Sequence, residues 1–123
     1  MSTRTERVAD EIRQEVARII TRELKDPRVG FVTVTGARIT ADLRSVRLFV
    51  SVLAENPQRQ EALRALNHAA GFFRRALFRN LRLRHAPEVT FEIDESLERG
   101  DRIERLLRGL HGDGAAVRAD EEE

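Results

Sequence analysis

The sequence has no cysteine. That absence excludes disulfides, thiolate catalysis and cysteine-ligated zinc or iron–sulfur sites, and it fits a reducing compartment. No apolar run approaches the ~20 residues of a membrane-spanning helix, and the opening MSTRTERVADEIR lacks the apolar core of a secretory signal. The expectation is a soluble, cytoplasmic chain with no membrane partner. No glycine-rich phosphate cradle of the nucleotide-hydrolase kind occurs, which excludes that class of enzyme. The three histidines, His68, His85 and His111, are scattered rather than set at ligand spacing. Ser2, Ser45, Ser51 and Ser96 lack the surroundings of an activated nucleophile. Glu92, Asp94 and Glu95 cluster where a strand would end, and a solvated edge accounts for them without a metal or an acid/base pair. The expectation is therefore a non-enzyme without metal or cofactor.

Lysine is almost missing as well: 21 of the 22 basic residues are arginine, Lys25 being the exception. The guanidinium group suits bidentate phosphate recognition and stacking on bases. Acids are absent from one long stretch. Residues 62–86 carry Arg64, Arg74, Arg75, Arg79, Arg82 and Arg84 and no carboxylate, a local charge of +6 in a chain whose total is only +1. Residues 88–110 hold seven acids against four arginines, and residues 113–123 hold five acids against Arg118. Such polarity points to an anionic partner at the middle of the chain.

What is present organises the chain into one domain. Thr3 and Glu6 stand at capping-box spacing, and Val8, Ile12, Val16, Ile19, Ile20 and Leu24 recur at helical intervals, predicting a helix from about Thr5 to Lys25. The segment KDPRVG stops it, because Asp26 precedes a proline and Gly30 permits a turn. Phe31 to Thr40 is β-branched, with a parity shift near Gly36 that suggests a bulge. Ser45 to Leu53 alternates cleanly, with Val46, Leu48, Val50 and Val52 inward and Thr33, Arg47 and Phe49 of the hairpin outward; the short TADLR joins the two strands. Asn56 and Pro57 open a helical pattern that runs to about Leu83.

Within that pattern Leu63, Leu66, Ala70, Phe73, Leu77 and Leu81 form one stripe, while Arg64, His68, Arg75, Arg79 and Arg82 gather on the opposite side. Phe72 and Arg74 fall out of phase just after Gly71, which predicts two helices meeting at a kink formed by Ala69, Ala70 and Gly71. Val89, Phe91 and Ile93 mark a third strand. Ile103, Leu106, Leu107 and Leu110 mark a short closing helix, and the residues after it read as a disordered acidic tail. The order is α-β-β-α-α-β plus a C-terminal helix, an α+β domain.

A helix face of arginines beside a kink can lay guanidiniums along a phosphate backbone, with Phe72 or Phe78 available to stack on a base. The competing account is arginines that merely solvate an amphipathic helix; the unbroken absence of acids over 25 residues favours nucleic acid. DNA bound by a helix-turn-helix fits poorly with strands before and after the helix pair, so RNA is preferred. A basic module docking an acidic protein remains the alternative.

The stretches RVADEIRQEVARIITRELKDPRVGFVTVT, ADLRSVRLFVSVL, LNHAAGFFRRAL and LRLRHAPEVTFEIDESLERGDRIERLL resemble the ribosome-binding factor A family across about residues 4–110. The resemblance implies a single type II KH-like domain, its kinked helix pair packed on a three-stranded mixed sheet, followed by a tail over residues 111–123. It also implies a monomeric, non-catalytic bacterial factor that binds the free small (30S) ribosomal subunit late in assembly. Such a factor assists processing of the 5′ end of 16S rRNA, matters most in the cold and is released with the help of an assembly GTPase. The family carries an alanine-x-glycine kink, matched by Ala69, Ala70 and Gly71, where other KH domains carry a glycine-x-x-glycine loop. The expected RNA contacts are Arg64, Arg75, Arg79 and Arg82, with Arg74 and Arg84 beside them and Lys25 and Arg28 at the end of the first helix.

Overall fold

The structure, a computed structural model, describes residues 3–96 and Leu107. Contacts divide the chain into residues 1–93 and 94–123, and every element below belongs to the first of these. The expected closing helix, apart from Leu107, and the acidic tail lie outside the described residues.

Helix α1 spans Thr3–Arg22. It forms because its apolar positions recur every three or four residues, and Ile12, Val16, Ile19 and Ile20 are buried in the core. Its wet side is laced by ion pairs one turn apart, Arg13 with Asp10 at 2.9 Å and Arg18 with Glu15 at 2.6 Å. Thr3 lies inside the helix rather than capping it, and the helix ends three residues before Lys25. The backbone N–H groups of Glu23 and Leu24 both donate to the Ile19 carbonyl. Asp26 is then extended, as a residue before proline prefers, and caps a 3-10 turn at Pro27–Val29 by accepting from the Arg28 N–H.

Strands β1 (Val32–Ile39) and β2 (Ser45–Val52) pair antiparallel. Val34 faces Val50 and Gly36 faces Phe49, so the extra residue of the expected bulge is Thr35, whose hydroxyl donates to the Phe49 carbonyl at 3.2 Å. The connection is closed by side chains: the Asp42 carboxylate accepts from the Thr40 hydroxyl at 2.6 Å and the Arg44 N–H at 3.1 Å. Leu43 there takes a left-handed φ of 62°.

Helices α2 (Gln58–His68) and α3 (Ala70–Leu81) lead to β3 (Glu88–Ile93). Pro57, not Asn56, occupies the cap position of α2 and gives no side-chain cap. β3 pairs parallel to β2, in the order β1-β2-β3; parallel neighbours need a long crossover, and the helix pair provides it.

One core holds all the elements together. α1 packs against β1, and α2 and α3 pack against β3. Phe73 and Phe91, both buried, meet edge to face at 5.0 Å. Ala62, Ala65 and Ala76 are also buried, small residues that let the helices approach the sheet closely. Across the helix–strand contact the Asn67 carboxamide accepts from the Phe91 N–H at 2.9 Å and donates to the Phe91 carbonyl at 3.1 Å. It thereby satisfies one rung of the open edge of β3, as a neighbouring strand would. The result is the α-β-β-α-α-β order and mixed sheet of a type II KH-like domain.

Candidate nucleic-acid interface

The bend between the two helices falls on a single residue. Ala69 has φ −89° and ψ 11°, outside helical values, while Ala70 and Gly71 already belong to α3. Hydrogen bonds continue through it: the Ala69 N–H donates to Ala65 and Leu66, and the Phe73 N–H donates to Ala69, all at 3.1 Å. Gly71 is thus a helical residue beside the bend rather than the bend itself. A Cβ there would sit 3.4 Å from the tip of the Arg75 guanidinium, an atom that is free to shift.

The change of direction re-indexes the cations. On α2, Arg64 and His68 stand opposite buried Leu66. On α3, Arg75 and Arg79 stand opposite buried Leu77, with Arg82 completing a sector about 60° wide. Arg64, His68, Arg75, Arg79 and Arg82 make up this outward side, and all five are exposed. Arg82 closes α3 in the left-handed region, with φ 54° and ψ 42°, a conformation that costs a non-glycine residue about 1 kcal/mol. Arg84 follows in the connection to β3. Arg74 is partly engaged, because its Nε donates to the Ala86 carbonyl at 3.3 Å and ties that connection to α3.

The electrostatics separate these arginines from the others. Among the described residues the ion pairs take up Arg13, Arg18, Arg28 and Arg47, and none takes up Arg64, Arg74, Arg75, Arg79, Arg82 or Arg84. Arg18 bridges Glu15 and Glu23, at 2.6 Å and 2.8 Å. Its guanidinium, helped by the Asn80 amide, holds the Glu15 carboxyl below its ordinary range. Asn80, donating to Glu15 at 2.8 Å, is also the polar stitch between α3 and α1. Arg75 and Arg79 are like charges one turn apart, which costs about 0.2–0.5 kcal/mol. A folding requirement would not select that arrangement, whereas an external polyanion would relieve it.

Lys25 and Arg28 do not join this sector through any contact among the described residues. Lys25 lies beyond the end of α1. Arg28 is clamped on Asp26 at 2.6 Å and 3.0 Å, and that contact holds the Asp26 carboxyl down at about 2. The outward sheet face is likewise satisfied internally: Arg47 pairs with Glu92 at 3.0 Å, and Arg38 lies 5.9 Å over the Phe49 ring. Arg38, Arg47 and Glu92 line an open cavity of about 470 Å³ together with Thr40, Ser45 and Thr90. Beyond β3, the Asp94 carboxylate accepts from the Ser96 N–H and hydroxyl, a local closure in keeping with a solvated acid.

Sequence spacing found the arginine face but not Asn67 and Asn80, whose partners are 24 and 65 residues away. A polar side chain on a helix gives no sign of which distant group it will meet.

Fold and surface together define a class: a KH-like domain that turns an acid-free arginine face outward. Comparison with known proteins gives the family. A family model described as ribosome-binding factor A matches residues 4–107. The curated ribosome-binding factor A of Desulforamulus reducens is 45% identical over 115 residues, covering 94% of this chain and 96% of that one. The crystal structure of ribosome-binding factor A from Thermus thermophilus superposes with a TM-score of 0.66 at 28% identity, over 72% of this chain and 94% of that one. Coordinates of a homology model of the T. thermophilus protein, fitted into a cryo-EM map of a 30S–RbfA complex, give a TM-score of 0.62 at 27% identity, over 74% of this chain and 96% of that one. The chain belongs to the ribosome-binding factor A family.

Proposed function

We propose that this protein is a ribosome maturation factor that binds the free small ribosomal subunit late in assembly and assists processing of the 5′ end of 16S rRNA. It acts without catalysis, as a cytoplasmic monomer. The RNA-binding domain runs over residues 4–110 and the acidic tail over 111–123. The observation that carries this reading is the outward sector of Arg64, Arg75, Arg79 and Arg82, left without a carboxylate partner among the described residues. Arg74 and Arg84 extend the same positive surface, while Lys25 and Arg28 are secondary candidates apart from it, Arg28 being paired with Asp26. The T. thermophilus relative in a 30S–RbfA complex supports the choice of partner.

Phosphate contacts position a protein on nucleic acid and carry little sequence information. Specificity then comes from the folded shape of the rRNA, which the angle between α2 and α3 matches. Binding holds an immature rRNA conformation, an assembly GTPase drives release, and the requirement is greatest in the cold. The test is cosedimentation of the protein with free small subunits, with joined subunits and with naked 16S rRNA. Retention on free small subunits alone is the expected result; equal retention on joined subunits overturns the reading. Binding to a purified protein that survives nuclease treatment would instead favour an acidic protein partner.

A further inference from the structure

Six phenylalanines serve this chain, and four have structural neighbours that account for them. Phe73 and Phe91 are core residues; Phe72 is half-buried, 5.8 Å edge-on to Phe73; Phe49 lies under Arg38. Phe31 is exposed, but it lies at the end of the hairpin, where its carbonyl accepts from the Leu53 N–H, and outside the arginine-rich helices. Phe78 is different. Nearly half of it, 46%, is exposed in the last turn of α3, and three of its four neighbours at helical spacing are cations: Arg74 and Arg75 on the preceding turn and Arg82 beside Leu81 on the following one. A guanidinium commonly stacks on an aromatic ring. Among the described residues, though, the one cation over a ring is Arg38 on Phe49, and no ring lies against Phe78. Its exposed part lies among arginines that no carboxylate pairs among the described residues.

We infer that Phe78 is a stacking platform for one unpaired RNA base, with Arg74, Arg75 and Arg82 holding the phosphates on either side of it. This deepens the RNA-binding reading and rests on it. The chemistry selects the ligand. A ring set among cations and no acid suits a polyanion that also presents a flat apolar face, which a nucleobase does. A paired base keeps that face inside its own stack, so the ring can reach only a base in a loop, bulge or single strand. Arg75 and Arg82 are about 11 Å apart along the axis, with Phe78 between them, so a backbone running along α3 can be gripped on both sides of the stacked base. The surface therefore reads a single-stranded segment of its rRNA target rather than the side of a duplex.

The sequence supplies the reporter. It contains no tryptophan and no tyrosine, so Phe78→Trp introduces a single indole into this chain. Titration with an RNA single strand of about 12 nucleotides should quench it, because a stacked base contacts the ring directly; a duplex of the same length should not. Phe78→Ala should weaken single-strand binding about tenfold with the salt dependence unchanged. Phe78→Leu, which keeps an apolar side chain but lacks the π face, should behave like Phe78→Ala. Thermal unfolding checks that each variant remains folded.

Wild-type affinity in Phe78→Ala, full binding by Phe78→Leu, or equal quenching by duplex overturns the inference. If Arg75→Gln/Arg79→Gln still loses affinity in those cases, the RNA-binding reading stands without it. If the arginine variants bind RNA as the wild type does, both fall.

Discussion

Replacing Arg75 and Arg79 together by glutamine should move binding and stability in opposite directions. The six arginines of residues 64–84, none of them in an ion pair among the described residues, set an upper bound of about six neutralised phosphates, hence a slope of about −4 for log affinity against log salt on single-stranded RNA. Removing two contacts should bring the slope to about −3, so that raising salt from about 50 to 200 mM costs roughly 1.7 decades of affinity rather than 2.5. Glutamine keeps helix propensity close to that of arginine, and the change abolishes a like-charge pair one turn apart. Stability should therefore rise by about 0.2–0.5 kcal/mol. Fluorescence-anisotropy titrations at several salt concentrations read the slope, and urea unfolding reads the stability. An unchanged slope would mean that these guanidiniums do not meet phosphate. A fall in stability would mean that they serve the fold.

Three further outcomes test the architecture. Asn67→Ala strips both hydrogen bonds from the Phe91 backbone and should cost about 1–2 kcal/mol in denaturant unfolding; a cost near zero would show that water replaces the amide freely. Gly71→Ala should stabilise by about 0.5–1 kcal/mol, since Gly71 is helical and the added methyl meets only a movable guanidinium, whereas a loss would mean that the bend needs the glycine. Asp26 is ordinarily near 3.8 and falls to about 2 in the folded chain through its bonds to Arg28. Its contribution is complete above the unfolded value and is lost as pH drops through the folded one, so Asp26→Asn should flatten the stability profile between about pH 4 and pH 2. An unaltered acid limb would show that the pair contributes nothing.

Much of the fold is legible because periodicity reports burial. Ile12, Val16, Ile19, Leu66, Phe73 and Leu77 repeat at helical spacing and are buried, and Val46, Leu48, Val50 and Val52 alternate and all face the core. The mixed pairing of the sheet is reachable only through resemblance to a family, since alternation within a strand does not say which strand lies beside it. The end of α1 differs from expectation by three residues, because Lys25 looks like a final-turn cation although Arg22 takes that place. The buried alanines Ala62, Ala65 and Ala76 escape a reading by stripes because small residues add little to an apolar face, although close packing depends on them. Phase spreads the kink over residues 69–71, whereas the backbone concentrates it at Ala69, whose φ of −89° and ψ of 11° any residue can adopt. Glycine at 71 suggests a flexibility that the backbone does not use.

The arginines divide into two populations by one local rule. In α1, Arg13 and Arg18 each have an acid three residues away and are tied down by it. In α2 and α3 the positions one turn from Arg75 and Arg79 hold glycine, phenylalanine, alanine, arginine or leucine, and acids are withheld from residue 62 to residue 86. Each withheld acid sacrifices a few tenths of a kcal/mol of helix stability, and Arg82 adds left-handed strain at the helix end. The loss is tolerable because the opposite face of the same helices buries Leu66, Phe73, Ala76 and Leu77, worth several kcal/mol. The packed side thus supplies the stability that the arginine side gives up, and what it gains is six cations that no carboxylate among the described residues ties down.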